Sequence, residues 1–248
     1  MNNVLNQCIK QAKQLKQYLR VGDMSRFKEE MRDLWDLFDA SQDINKESLT
    51  QIAEIICDLL FEKGIYHSDQ MDFIKLSGCV NDARDLSEQF PHSKSITTDF
   101  LNLLTGLFTL KLQYREFEYL DEYIPEVLAL SRRFEQDEAV SQAASICLAS
   151  LQNLCPYGEV GVSMILPLLE QLEKLAALYP SNKQICFALL QSLLLFCCVM
   201  KHHQRQEVYR EYIGKFSEAL TSYNHIIPRD QLEFIETEII KHGLDILF

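Results

Sequence analysis

A chain of 248 residues can bury a large core, either as one elongated domain or as two smaller ones. Only 8 glycines and 6 prolines punctuate it, and no β-branched runs alternate between tight-turn pairs, so the composition excludes a sheet-based architecture and favours helix. The net charge of −12 argues against a general nucleic-acid binder, which needs a basic face to displace counterions from phosphates.

Residues 2–20 predict a helix with Val4, Leu5, Cys8, Ala12, Leu15 and Leu19 on one stripe. Lys10, Lys13, Lys16 and Arg20 form a basic strip on its other face, and the ordinary reading of such a strip is a solvated surface. Gly22-Asp23 breaks it. A second helix over 24–40 carries Phe27, Met31, Leu34, Trp35 and Phe38. Asn45 and Ser48 suit the start of a third, running from Leu49 to Phe61, with Lys63-Gly64 ending it and an irregular stretch over 64–70. Helices follow near 71–89 and 95–112, separated by Pro91, which cannot continue a helix. The segment 114–134 predicts a helix kinked or broken at Pro125, and 160–179 another with an irregularity at Pro167.

Between those two, Asp137 caps a helix over 137–154, and Cys155-Pro156-Tyr157-Gly158 makes a turn. Ser181, with Gln184 three residues on, has capping-box spacing for a nearly all-apolar helix closed by His202-His203. Its apolar run, Ile185 to Met200, is short for a bilayer and interrupted by Gln191 and Ser192, so it reads as a buried core helix. Helices near 205–223 and 228–246 finish the chain, with Pro228 at the first helical position.

The aromatics Phe90, Phe134, Tyr179 and Tyr223 recur at intervals of 44, 45 and 44 residues. Around the first three, apolar residues recur in register: Leu86, Leu130 and Leu175 before them, then Ile96, Val140 and Ile185, and further on Leu104, Leu148 and Leu193. An earlier copy is anchored at Phe38. A fixed register over several columns is the mark of a helical array, in which each two-helix unit buries its apolar face only against its neighbours. The chain is therefore expected to be a single all-α domain: an N-terminal helix (1–23), repeats over 24–225 and a capping helix over 226–248. Its about eleven helices would pair as antiparallel hairpins in a right-handed α-solenoid.

This pattern resembles the tetratricopeptide-like and HEAT-like helical repeats as a class, with a period nearer the HEAT or armadillo length. The tetratricopeptide signature residues are missing. The resemblance implies a protein-binding scaffold with an extended concave surface.

No phosphate-binding loop, nucleophile elbow or H-E-x-x-H pattern is present, so no cofactor, metal site or catalytic residue is assigned and no turnover is expected. The best candidate surface is an acidic aromatic stretch of Tyr114, Glu118, Tyr119, Asp121, Glu122 and Tyr123, together with Glu116, which could clamp a basic protein or peptide segment. The plainer alternative makes these tyrosines the edge of an amphipathic core. Two other functions compete: an all-helical metal-dependent enzyme using Asp33, Asp36 and Asp39 near Trp35, and an RNA-binding repeat using the N-terminal lysines. The eight cysteines contain no C-x-x-C pair and sit among apolar residues; with no secretory leader and no membrane span, the expected location is the cytoplasm.

Overall fold

The computed structural model describes residues 2–155 and 159–246, and among them the secondary structure is eleven α-helices and no strand. The helices fall into two compact units, Met1–Tyr114 and Arg115–Phe248.

The first unit holds α1 (Asn2–Val21), α2 (Met24–Asp39), α3 (Lys46–Asp69), α4 (Phe73–Gln89) and α5 (Lys94–Tyr114). Gly22, at φ +72°, takes the left-handed turn that ends α1, and Asp23 then accepts a hydrogen bond from Arg26 N at 3.2 Å to start α2. Asn45 caps α3 through Ser48 N at 2.8 Å, and Asp72 caps α4 through Lys75 N at 3.2 Å. Helix α1 packs on α2 and α3, and α3 packs on α4 and α5. Phe27, Phe38, Phe100 and Phe108 fill the core between them.

One expectation fails here. Lys63-Gly64 does not end α3, and 64–70 is not irregular: the helix continues to Asp69. Gly64 is buried where α3 meets both α4 and α5, and a Cβ there would collide with Leu103 Cδ2 and press Leu76 Cδ1 at 3.3 Å. Glycine is used for close helix packing rather than as a stop.

The second unit holds α6 (Leu120–Arg133), α7 (Glu138–Gln152), α8 (Glu159–Leu178), α9 (Lys183–His202), α10 (Gln206–Tyr223) and α11 (Arg229–His242). The predicted 114–134 helix is corrected: α5 runs through Tyr114, residues 115–119 are not helical, and Arg115 and Tyr119 adopt φ of +57° and +65°. Side chains from Arg115 to Tyr119 are all exposed, so no buried face holds a helix there; the buried stripe of Leu120, Ile124, Val127 and Leu128 begins with α6 itself. Helices α6 and α8 run on through Pro125 and Pro167, each of which removes one backbone donor.

The cap of α9 is Asn182, not Ser181. Its Oδ1 accepts from Gln184 N and Ile185 N, both at 3.1 Å, while its Nδ2 donates to Glu138 Oε1 at 3.0 Å and Gln142 Oε1 at 3.1 Å on α7. An amide has two donor hydrogens besides its acceptor oxygen, whereas a serine hydroxyl has one and could not donate to both Glu138 and Gln142. Pro228 stands one residue before α11, as its N-cap, rather than inside it. The turn expected at Cys155–Gly158 falls largely outside the described residues. Helix α9 forms the core of this unit, with α7, α8, α10 and α11 packed around it. It is long and apolar enough to cross a membrane by length and composition, and 67% of that stretch is buried inside the structure.

Candidate functional site

The acidic aromatic stretch is divided between the two units. Tyr114 closes α5 in the first, where its hydroxyl donates to Met71 O at 2.9 Å and its ring meets Phe73 edge-on at 6.5 Å. The remainder belongs to the second unit. Phe117 and Tyr119 are 47% and 57% exposed, Glu116, Glu118, Asp121 and Glu122 are exposed, and Tyr123 is half-buried. Among the described residues these four carboxylates form no ion pair. Asp121 and Glu122 lie in the first turn of α6, where negative charge is also favoured by the helix dipole. The non-helical segment thus presents two apolar rings among uncompensated carboxylates.

A second charged surface, of which the sequence singled out only the basic strip on α1, is built by α1, α3 and α5. Positions 13, 16 and 20 share one face of α1, and 54, 58 and 62 share one face of α3. The two faces meet where Lys16 Nζ pairs with Asp58 Oδ2 at 2.7 Å and Glu62 Oε1 at 3.4 Å. Ser93 Oγ donates to Glu54 Oε1 at 2.7 Å. On α5, burial and the nearby Asp58 push the Asp99 carboxyl up to about 7; Lys16 opposes this and Glu54 adds to it.

That shift predicts a pH dependence of stability. Between the ordinary value of 3.8 and about 7 the folded protein holds a proton on Asp99 that the unfolded chain has released, so this group makes stability fall as pH rises through the window. Asp99→Asn is expected to raise stability at pH 8 by on the order of 1–3 kcal/mol and to flatten the fall between about pH 4 and 7. Denaturant titrations of parent and variant from about pH 4 to 8 check it; a variant no more stable than the parent at pH 8 refutes it.

The aspartates Asp33, Asp36 and Asp39 lie exposed along α2, while Trp35 is half-buried and meets Phe38 edge-on at 5.8 Å. Among the described residues no group of three or more His, Cys, Asp and Glu side chains is placed to hold a metal ion. The N-terminal cations do not continue into a basic stripe either, since the adjoining face of α3 and α5 carries Glu54, Asp58 and Asp99.

A cleft of about 430 Å³ opens between α9 and α11, floored by Leu194, Leu195, Val199 and Phe234 and flanked by Cys198 and Glu238. Glu238 Oε1 accepts from Lys241 at 3.0 Å and its Oε2 pairs with His242 Nε2 at 3.3 Å. Its sequence signal is the i, i+4 recurrence of Leu194, Cys198 and His202 on α9 and of Phe234, Glu238 and His242 on α11.

All eight cysteines are free thiols; seven are buried and Cys198 is partly so. Burial pushes Cys155 and Cys197 up to about 12, and Cys79, Cys186 and Cys198 up to about 11, so none of these five is a thiolate nucleophile at neutral pH.

No protein-family model matches this chain, and neither a curated protein nor a solved structure shows significant similarity to it.

Proposed function

We propose that the chain is a non-enzymatic scaffold of helical repeats, built as a right-handed α-solenoid of antiparallel hairpins, that holds a protein or peptide through a basic segment of that partner. Three features support the repeat reading. Helices pack on their next-but-one neighbours as well as on adjacent ones, with α1, α3 and α5 in contact in the first unit and α7, α9 and α11 in the second. The recurring columns occupy matching places in their own hairpins: Phe90 and Phe134 directly follow α4 and α6, Tyr179 follows α8, and Leu104, Leu148 and Leu193 are all buried. Cross-links span nearly one period, as in Tyr179 Oη to Glu135 O at 3.0 Å and Gln171 Nε2 to Ser131 Oγ at 3.0 Å.

The observation that carries the binding reading is the non-helical segment before α6, with Phe117 and Tyr119 exposed among Glu116, Glu118, Asp121 and Glu122. Aromatic rings supply contact area at low entropic cost, and the carboxylates supply attraction for lysine and arginine. Buried free thiols support a reducing compartment such as the cytoplasm.

The test is binding of a lysine- and arginine-rich peptide to the full chain, parent against Glu118→Lys/Asp121→Lys/Glu122→Lys. These positions are exposed, so helicity is expected to stay intact while association slows by about tenfold or more at low ionic strength. The difference should shrink as salt screens exposed charges beyond about 10 Å at roughly 0.1 M. Equal binding by parent and variant at low and high salt refutes the acidic segment as the docking site.

A further inference from the structure

The exposed face of α1, α3 and α5 carries its charge in two adjacent strips. Helix α1 has no Asp or Glu along its 20 residues. Lys16 reaches α3, Lys13 and Arg20 lie one turn before and after it on the same helix face, and among the described residues Lys13 and Arg20 have no ion-pair partner. Across the seam stand Glu54, Asp58 and Glu62 on α3, and beyond them Asp99 on α5. Among the described residues only Lys16 forms an ion pair across the seam, to Asp58 and Glu62. Ile9 and Ile65, 39% and 44% exposed, add apolar area to the same two helices.

We propose that this face docks onto the same face of a second copy of the chain, the basic edge of each copy lying over the acidic strip of the other. The charge pattern selects that occupant. Three cations beside the three carboxylates of α3 repel one another's ligands: a polyanion laid on α1 meets the α3 carboxylates one helix away, and a polycation laid on α3 meets α1. A surface that is itself bipolar satisfies both strips. A second copy supplies it through a two-fold axis lying in the interface along the α1–α3 seam, because such an axis carries the strip on one side of the seam over the strip on the other. The contact is isologous, so every attraction is made twice. Glu54, which has no ion pair among the described residues, and the two carboxylates that share Lys16 then gain cations from the partner, while Lys13 and Arg20 gain carboxylates.

Sedimentation velocity of the full chain decides the matter. The parent is expected to dimerise reversibly at roughly 0.02 M salt and to dissociate at roughly 0.5 M, where the screening length has shrunk to a few ångströms. Lys13→Glu/Arg20→Glu and Glu54→Lys/Glu62→Lys are each expected to weaken self-association by about tenfold or more, since like charges then face each other. Mixing the two variants in equal amounts restores complementary faces, so heterodimers are expected where neither variant dimerises alone. Circular dichroism confirms that both are helical, and Lys13→Gln/Arg20→Gln, which introduces no repulsion, gives the same direction with a smaller loss. A parent that stays monomeric at low salt up to its solubility limit overturns the proposal. So does a dimer that survives both reversals, or a mixture that stays monomeric.

Discussion

Leu193→Ala is expected to lower the free energy of unfolding by about 2–5 kcal/mol. Leu193 is 1% exposed and lies in the middle of α9, the helix on which α7, α8, α10 and α11 all pack. Truncation there removes apolar contacts and leaves a cavity, and the neighbours are poorly placed to collapse into it. Leu189, Leu190, Leu194, Phe196 and Cys197 on α9 are themselves buried and held by their own contacts. The cost therefore belongs at the upper part of the usual range for buried leucine. Equilibrium denaturation followed by circular dichroism reads it. A loss under about 1 kcal/mol means that the site relaxes as a surface position does and that α9 is not the core of its unit.

What the sequence made legible was decided by local chemistry. Gly22-Asp23, Asn45 and Asp137 end or start helices because each acts on backbone within three residues of itself, and the structure shows those caps. The apolar run of α9 was legible for the same reason, since periodicity and length describe one helix at a time. Errors came where a local signal competed with a distant partner. Ser181 and Asn182 are both good caps by type. Asn182 prevails because Glu138 and Gln142, some forty residues earlier, hold its amide nitrogen.

The candidate surfaces divide along the same line. The acidic aromatic stretch is contiguous in sequence, so it could be named in advance. That Tyr114, itself half exposed, is tied to Met71 and Phe73 in the first unit, while Phe117 and Tyr119 are exposed in the second, depends on a chain reversal that composition does not encode. Only half of the bipolar face of α1, α3 and α5 was visible. Its basic strip read as a solvated edge, and its carboxylates at 54, 58, 62 and 99 come together only when three helices set their relative rotation.

Gly64→Val is expected to destabilise the first unit by about 3 kcal/mol, and Gly64→Ala by about 1–2 kcal/mol. Taken alone, alanine in a helix interior is favoured over glycine by about 0.8–1.0 kcal/mol, so a site with free space gains stability from this change. Gly78 and Gly214 are such sites, exposed in α4 and α10 with nothing near the position a Cβ would take. Alanine at either is expected to add about 0.5–1 kcal/mol. Gly64 differs because Leu103 of α5 occupies that position and Leu76 of α4 stands 3.3 Å away, both 2% exposed or less. Neither leucine can swing into solvent, so α3 must move away from α4 and α5, and the loss in packing exceeds the gain in propensity. Trp35, the chain's single tryptophan, lies in α2 of the same unit and reports its unfolding by fluorescence. Opposite signs for Gly64→Ala and Gly78→Ala in that measurement bear out the reading of Gly64 as a packing glycine. If both substitutions stabilise, α3 does not approach α5 this closely, and the continuation of α3 to Asp69 needs another cause.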